Sequence, residues 1–220
     1  MSTNFKHELF SQFARVGKAL SNANRLELLE FIAQGERSVD ELANVSGLSI
    51  ANTSQHLQHL RQAGMVISHK VGLQVFYRIS GNDVLTLLST LRTVAERHIA
   101  DIDKLVSSFL TVKDSLEPIP REELLQRIKD HLVTVLDVRP AKEYAAGHVA
   151  GAVNIPLAEL EEYLQRHDTE QEIIAYCRGP HCILAFDAVA KLRDKGRKAR
   201  RLEDGFPEWK LAGLPVESES

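Results

Sequence analysis

The sequence has few cysteines and no long apolar run, and both absences narrow the class of protein. Two cysteines among 220 residues exclude a disulfide scaffold and favour a reducing compartment. No apolar run approaches the roughly 18 residues that a membrane-spanning helix needs. The polar segment Met1–Glu8 is not followed by the apolar core of a signal peptide. We therefore expect a cytoplasmic protein with no membrane partner, long enough for two modest domains.

A strong net charge is also lacking, since the chain carries −3 at pH 7. A polyanion such as DNA responds to local charge, however, and the acidic residues are unevenly placed. The stretch 42–82 contains no aspartate or glutamate, and it holds Arg61, Lys70 and Arg78. The weak overall charge therefore does not exclude a nucleic-acid partner.

The first half of the chain shows helical spacing of apolar residues, interrupted by short turns. Helices are predicted over 7–21, 24–33, 39–45 and 49–64. Ser38 is a good cap for the third of them, with Glu41 as its capping-box partner, and Ser49 caps the fourth after a break at Gly47. Helix, short turn and helix in this order predict a helix-turn-helix.

Beyond residue 64 the pattern changes to a β-hairpin and then to one long helix. Residues 65–68 and 73–79 are β-prone runs around His69–Gly72, which puts a glycine at the tip. From Gly81 to about Val112 apolar residues recur at helical spacing, and a continuous helix there would be on the order of 45 Å long. Because so long a helix exceeds what one small domain can cover, we expect the N-terminal domain to form a homodimer along it.

Polar side chains on the fourth helix and on the hairpin are the candidates for DNA contacts. Thr53, Leu57 and Leu60 recur at helical spacing and are expected in the core, which turns their polar neighbours outward. Asparagine and glutamine suit adenine edges, and lysine and arginine suit phosphates. The predicted DNA-binding residues are Ser49, Asn52, Ser54, Gln55, His56, Gln58, Arg61, Lys70, Gln74 and Arg78. The alternative is a solvated polar face on an unrelated helical domain.

The run 48–66 resembles the recognition helix of the ArsR family of winged-helix repressors, and the resemblance covers about residues 8–110. It implies a mainly α winged helix-turn-helix (α+β) domain over 1–112 that binds operator DNA. Many members of that family sense metals through cysteines before the recognition helix or through Asp/His pairs on the last helix. The segment before this recognition helix contains no cysteine. His98 and Asp101 could share a metal across a dimer seam but lack a second histidine, so no metal site is predicted.

The second half alternates strands with helices after a proline-containing linker at 113–120. Strands are predicted at 133–138, 173–177 and 199–202, and helices at 122–129, 157–167 and 183–195. Strands that alternate with helices imply a parallel sheet covered on both faces. We therefore expect an α/β domain over 121–220 whose functional groups gather where strands end.

Several short motifs between residues 120 and 217 resemble those of the rhodanese family. They are Asp137–Pro140, Glu143–Tyr144, Gly147–His148, Gly151–Ala152, Asn154–Pro156, Gly205–Phe206, Trp209 and Gly213–Val216. Most of these residues are expected to be structural. In rhodaneses a thiolate takes a sulfane sulfur from a donor and holds it as a persulfide, and the resemblance assigns this role to Cys177.

Cys177 ends a predicted strand and begins a loop of reactive residues. Backbone N–H groups and a helix N-terminus at such a position favour a thiolate, and Arg178 and His181 add positive potential. The predicted catalytic residues are Cys177, Arg178, Gly179, His181 and Cys182. Single-domain sulfurtransferases commonly end this loop with arginine, where this chain has Cys182 instead. A thiol there could attack a persulfide on Cys177 and release sulfide, provided that the two residues come close enough.

These features favour one function and leave alternatives open. We expect a transcriptional repressor, without a cofactor, whose Cys177 detects a sulfane-sulfur donor or another thiol-reactive molecule. The alternative is a true sulfurtransferase with a persulfide intermediate at Cys177, and two cysteines support an arsenite or other soft-metal site weakly. Cys182 could instead be a small buried apolar residue at a helix start. The basic cluster 193–201 is expected to be solvated, with DNA or an anionic donor as its alternative partner.

Overall fold

The computed structural model describes residues 2–108, 118–166 and 171–219. They form two compact units, Met1–Leu87 and Leu88–Ser220. Most of the predicted linker 113–120 lies outside the described residues, and so does the end of the long helical pattern at 109–112. Within the described ranges no helix is both long and apolar enough to cross a membrane.

Helices and a small antiparallel sheet make up the first unit. Its elements in chain order are α1 (Ser2–Leu20), α2 (Ala23–Ala33), β1 (Arg37–Ser38), α3 (Val39–Ser46), α4 (Ile50–Gln62), β2 (Val66–Val71), β3 (Gln74–Ile79) and the start of α5 (Asn82–His98). The strands pair in the order β1-β3-β2. The helices α3 and α4 form the predicted helix-turn-helix, and β2 and β3 form the predicted hairpin, so the winged-helix prediction is confirmed.

Side-chain caps fix the start of α3 and the turn between α3 and α4. Ser38 Oγ accepts from the backbone N–H of Glu41 (3.3 Å), and Glu41 Oε2 accepts from the backbone N–H of Ser38 (2.9 Å). This is the predicted capping box. Helix α3 ends at Gly47, whose φ of 70° lies in the left-handed region that favours glycine. Ser49 then caps α4 by accepting from the N–H of Asn52 (3.3 Å).

The core of the first unit is aliphatic and is built from α2, α3 and α4. Leu28, Leu29, Leu42, Leu57 and Leu60 are all fully buried at 0% exposure. Each such side chain contributes about 1.5–3 kcal/mol by leaving water. Apolar side chains of α1 and α5, by contrast, remain partly exposed.

The hairpin turn is tighter than the sequence predicts. Strand β2 continues through the expected loop residues to Val71, which pairs with Gln74. Only Gly72 and Leu73 remain in the turn, with φ of 60° at Gly72 and 97% exposure at Leu73. A two-residue hairpin turn requires positive φ, which glycine adopts without steric cost.

The long helix is not continuous. Helix α5 ends at His98, and Ile99 has extended angles (φ −112°, ψ 95°) before α6 (Ala100–Val106) begins. The prediction of one uninterrupted helix is therefore wrong at Ile99. Apolar spacing persists across this residue and no proline or glycine marks the break, so sequence periodicity could not reveal it.

The second unit contains a parallel sheet with helices on both faces. After the end of α5 and α6, its elements are α7 (Arg121–Lys129), β4 (Val133–Asp137), α8 (Ala141–Ala146), β5 (His148–Val149), β6 (Val153–Asn154), α9 (Leu160–Arg166), β7 (Glu172–Tyr176), α10 (Ile183–Asp194), β8 (Ala199–Arg201), α11 (Phe206–Leu211) and β9 (Val216–Glu217). The parallel strands follow the order β6-β4-β7-β8, and β5 pairs antiparallel with β9. The predicted α/β class is confirmed.

Strand β7 divides its side chains between two buried layers. Ile173 and Ala175 belong to the cluster that packs against α10. Ile174 and Tyr176 belong to the opposite cluster, which includes Trp209 of α11. Since both faces are covered, the strand is apolar from Ile173 to Ala175 and does not alternate with polar residues there.

Candidate functional site

The residues Cys177–Cys182, here called the cysteine loop, lie at the carboxyl end of the parallel sheet. They connect β7, which ends at Tyr176, to α10, for which Cys182 is the N-cap. Strand β7 lies between β4 and β8, and functional groups of such folds gather at this edge because the loops open there. The side chain of Cys177 continues the alternation of β7 and joins the cluster against α10.

The two cysteines come together in this loop. Their Sγ atoms are joined in a disulfide, and their Cα atoms are 6.1 Å apart, within the usual range of about 4.4–6.8 Å for a bridged pair. The backbone N–H of Cys182 donates to the carbonyl of Gly179 (3.1 Å), which closes the turn. Cys177 is only 1% exposed, whereas Cys182 is half-buried. Cys182 is therefore the sulfur that an external thiol meets first.

Arg178 and His181 of the cysteine loop both have carboxylate partners. Arg178 donates from Nε to both oxygens of Glu143 (3.1 and 3.0 Å) and from Nη2 to Oε1 (2.8 Å). The Glu143 side chain is 1% exposed. His181 Nε2 donates to Glu96 Oε1 (2.7 Å). The positive potential expected from Arg178 and His181 is thus offset, and backbone N–H groups remain as the main support for a thiolate.

A buried ion pair fixes the sheet edge beside the cysteine loop. Arg139 and Asp137 are both fully buried, and Arg139 Nε donates to Asp137 Oδ1 (2.9 Å). Arg139 Nη2 also donates to the carbonyl of Gly147 (2.8 Å). Tyr176, which precedes Cys177, donates its hydroxyl to Asp137 Oδ2 (2.5 Å) and accepts from the N–H of Val149 (3.0 Å). The strand end that carries Cys177 is therefore held by charge-assisted hydrogen bonds.

The protonation of Tyr176 suits this network. Burial, reinforced by the negative charge of Asp137, raises the pKa of Tyr176 well above its usual value. The hydroxyl therefore stays protonated and remains a donor to the carboxylate. This role of Tyr176 was not predicted, although a tyrosine directly before a strand-end cysteine and the Asp-x-Arg run 137–139 were visible signals in the sequence.

Gly205 packs directly on the backbone of the cysteine loop. A Cβ atom added to it would collide with the backbone of Arg178 and Gly179. Its own φ and ψ, −106° and −177°, are extended, so the requirement for glycine is steric and not conformational. The next residue, Phe206, donates its N–H to the carbonyl of Cys177 (3.0 Å). The motif that contains Gly205 was expected to be structural, and the site it supports is the cysteine loop.

We predict that Gly205→Ala displaces the cysteine loop. Overpacking of this kind costs about 1–3 kcal/mol, because the atoms in the way are backbone rather than flexible side chain. The alkylation rate of the reduced cysteines, followed by mass spectrometry, should change in this variant. Gly17→Ala is the matched control, since nothing lies within 4 Å of a Cβ there. An unaltered alkylation rate and unfolding midpoint in Gly205→Ala would contradict the prediction.

The exposed face of α4 carries most of the predicted DNA-binding residues. Thr53, Leu57 and Leu60 are buried, as the helical spacing predicts. The predicted contacts that are exposed are Ser49, Asn52, Gln55, Gln58 and Arg61, and Ser54 is half-buried. Arg61 Nη1 donates to Ser68 Oγ (3.4 Å) on β2. The structure thus brings these polar side chains to one surface.

His56 differs from its neighbours on α4. It is half-buried, and its Nδ1 is covered without a hydrogen-bond partner among the described residues. Burial first, and then the positive charges of Arg25 and His59, lower the pKa of His56. The imidazole is therefore neutral at neutral pH and carries no charge toward a phosphate.

The hairpin residues do not share one face. In the register of β2 and β3, Lys70 pairs with Val75, and Arg78 pairs with Ile67. Because side chains alternate along a strand, Gln74 and Arg78 lie on one face and Lys70 lies on the other. All three are exposed, so a single DNA backbone would meet them from the edge of the hairpin rather than from one face.

The basic cluster 193–201 is engaged within the second unit. Arg193 Nε donates to the carbonyl of Ala199 (2.9 Å). The guanidinium of Arg201 stacks over the ring of Phe186, 4.3 Å from its centre, as cations do on aromatic faces. These two side chains are therefore engaged in the fold rather than solvated as expected, whereas Lys195 and Lys198 of the cluster are exposed.

No group of three or more potential metal ligands occurs within the ranges that the structure describes. Asp101, one of the two residues considered for a metal on the last helix, forms an exposed ion pair with Lys104 (3.0 Å).

Two family descriptions match the chain. "Bacterial regulatory protein, arsR family" matches residues 22–68, and "Rhodanese-like domain" matches residues 120–212. The HTH-type transcriptional regulator Rv0324 of Mycobacterium tuberculosis is 45% identical over 212 residues, which cover 96% of this chain and 93% of that protein. The similarity therefore extends through both units.

Two further relatives each match one half. The homodimeric winged helix-turn-helix DNA-binding domain of Mb0332 from Mycobacterium bovis, solved by NMR, is 41% identical, covers 44% of this chain and 89% of that one, and has a TM-score of 0.41. The thiosulfate sulfurtransferase GlpE of Coxiella burnetii is 29% identical over 89 residues, which cover 40% of this chain and 81% of that enzyme.

Proposed function

Since the chain belongs to the arsR family of bacterial regulatory proteins and carries a rhodanese-like domain, we propose that it represses transcription until reactive sulfur oxidises Cys177. The observation that carries this proposal is the pairing of Cys177 with Cys182, whose Cα atoms are 6.1 Å apart. Two thiols at this distance form and break a disulfide within one molecule. In a transcriptional regulator, such a pair is a group that reacts with a chemical signal, in addition to the surface that binds DNA.

The proposed reaction has two steps. The Cys177 thiolate attacks the outer sulfur of a hydropersulfide or polysulfide donor, the sulfur–sulfur bond of the donor breaks, and the donor leaves as a thiolate that takes up a proton. The Cys182 thiolate then attacks Sγ of the Cys177 persulfide, and hydrosulfide leaves. Two cysteine thiols are thereby oxidised to a disulfide, and the sulfane sulfur of the donor is reduced to sulfide.

The charges of the cysteine loop favour sensing over turnover. Rapid sulfur transfer from an anionic donor such as thiosulfate needs a cation at the loop, and Arg178 is committed to the buried carboxylate of Glu143. At the end of the loop, Cys182 replaces the arginine that single-domain sulfurtransferases commonly use. In the bridged form Cys177 is also covered, since it is 1% exposed. These features support a stoichiometric response rather than repeated turnover.

A sulfurtransferase is the second candidate function, because the rhodanese-like half is similar to the Coxiella burnetii enzyme. A thiosulfate:cyanide assay distinguishes the two. Steady turnover through many cycles, with DNA affinity indifferent to sulfur, would favour the enzyme.

We also propose that the regulator is a homodimer formed by α1 and α5. On α1, Phe5, Phe10 and Phe13 are 68%, 55% and 58% exposed, and on α5 Leu91 and Val94 are 38% and 51% exposed. Exposed aromatic and aliphatic side chains on a helix are typical of an interface. A second copy of this chain is the occupant we propose, because paired operator half-sites are read by a two-fold symmetric protein.

The experiment that tests the proposed function compares DNA affinity before and after sulfur treatment. Reduced protein first selects a duplex from a random-sequence library, and fluorescence anisotropy then measures its Kd with and without inorganic polysulfide. The wild-type affinity is expected to fall by about 5–150-fold, the usual size of coupling between two sites. Cys177→Ser is expected to bind the duplex as tightly as the reduced wild type and to show no fall.

Normal binding by untreated Cys177→Ser serves as the folding control, because this residue is outside the proposed DNA surface. A polysulfide response of wild-type size in Cys177→Ser would overturn the sensing role of this residue.

A further inference from the structure

The second half of α5 makes a hydrogen bond and an ion pair inside the second unit, and both lead to the cysteine loop. Glu96 accepts from Nε2 of His181, the residue directly before Cys182 (2.7 Å). Arg92 Nη2 donates to Glu208 Oε1 at the same distance of 2.7 Å. The Glu208 side chain is only 10% exposed, so this second pair is partly shielded from solvent and salt.

Glu208 accepts a second hydrogen bond, which connects it to the cysteine loop. While Oε1 accepts from Arg92, Oε2 accepts from the backbone N–H of Gly205 (3.1 Å). Gly205 in turn packs against the backbone of Arg178 and Gly179. The helix is therefore tied to the cysteine loop at both ends of the loop, through His181 near Cys182 and through Gly205 near Cys177.

The opposite face of α5 is apolar. Arg92 and Glu96 are four residues apart and lie on one face, whereas Leu87, Leu91 and Val94 lie on the other. These three side chains are 37%, 38% and 51% exposed. Helix α5 thus carries the contacts to the cysteine loop on one face, and Leu91 and Val94 of the proposed dimer surface on the other.

Resting on the proposed function, we propose that α5 transmits the covalent state of the cysteine loop to the DNA-binding dimer through the pairs Glu96–His181 and Arg92–Glu208. The bridge holds Cys182, and hence His181, at Cys177, and its loss frees His181 to move relative to Glu96. Since α5 follows β3 of the hairpin directly in the chain, a shift of α5 changes the proposed dimer surface and the chain segment that leads out of the hairpin. A hydrogen bond from His181 to Glu96 that forms in only one covalent state supplies the differential free energy that such coupling requires.

The test uses the full-length double variant Arg92→Gln/Glu96→Gln, with two readouts on the same samples. Intact-mass spectrometry after inorganic polysulfide measures formation of the Cys177–Cys182 bridge. Anisotropy with the duplex selected by the reduced wild type measures the ratio of Kd values with and without polysulfide. The double variant is expected to form the bridge at the wild-type rate, while its Kd ratio falls from roughly fivefold or more to about one.

Two controls make the result specific. Glu162→Gln removes a carboxylate from an exposed ion pair with Arg166 on α9 and is expected to keep the wild-type ratio. Arg92→Lys, which retains the charge opposite Glu208 and leaves Glu96 in place, is expected to keep most of the ratio that the double variant loses.

The outcomes separate this inference from the proposed function. A wild-type protein that does not form the bridge, or forms it with no change in Kd, refutes the proposed function. A responsive wild type with an equally responsive double variant overturns the role of α5 alone. Loss of bridge formation in the double variant also overturns the role of α5 in transmission, because Arg92 and Glu96 are then needed for the reaction of the two cysteines.

Discussion

Replacing Arg139 with methionine is expected to lower the free energy of unfolding of the second unit by about 3–5 kcal/mol. Methionine keeps most of the side-chain volume but leaves Asp137 buried at 0% exposure without its main counter-charge. It also removes the donor to the carbonyl of Gly147 and the cation that stacks 4.5 Å from the ring centre of Phe206. Urea unfolding followed by the fluorescence of Trp209, the one tryptophan of the sequence and 1% exposed, reports on this unit.

Arg166→Met is the matched control, because it breaks an ion pair with Glu162 whose side chains are 69% and 63% exposed. Exposed pairs contribute about 0–1 kcal/mol, so the control should unfold close to the wild type. Equal losses in the two variants would show that the Asp137–Arg139 pair does not stabilise the sheet edge.

Local sequence signals explain which elements could be predicted. The capping box of Ser38 and Glu41 and the glycine at 47 depend on residues within one turn of each other, so their structural meaning is readable from the chain. The strands β4 and β7 have five mainly apolar residues each, and helical patterns lie between them in the sequence, which identifies a parallel sheet. By contrast, β5 and β9 contain two residues each, too few for any periodicity, and they pair across most of the domain.

The sequence indicates which residues form the cysteine loop, but it does not reveal the partners of their charged side chains. The sequence identifies Arg178 as a cation beside Cys177, but its partner Glu143 lies 35 residues earlier and meets it only through the fold. The distance between the cysteines was equally open, since five residues of extended chain could separate their Cα atoms by up to about 18 Å. The turn from Cys182 to the carbonyl of Gly179 brings them to 6.1 Å.

Cys182→Ser is expected to halt the proposed reaction at the persulfide of Cys177. Serine removes the nucleophile of the second step, while the first step needs only the Cys177 thiolate. Polysulfide-treated variant protein should therefore gain the mass of one sulfur atom, release no sulfide from that persulfide, and fail to form the intramolecular disulfide. Intact-mass spectrometry, with cyanide added to remove sulfane sulfur, measures these species directly.

The DNA response of the same variant identifies the signal. If α5 responds to the bridge, Cys182→Ser should hold a persulfide on Cys177 and still bind DNA with the affinity of the reduced protein. The variant would then lose the entire wild-type change in Kd of about 5–150-fold. Cys182→Ala checks that the serine hydroxyl has no effect of its own, because alanine has no hydroxyl group. Alanine also matches the alternative interpretation of Cys182 as a small apolar residue at the start of α10. A wild-type response in both variants would mean that the persulfide on Cys177 is itself the signal. Cys182 would then act only through its packing beside Cys177.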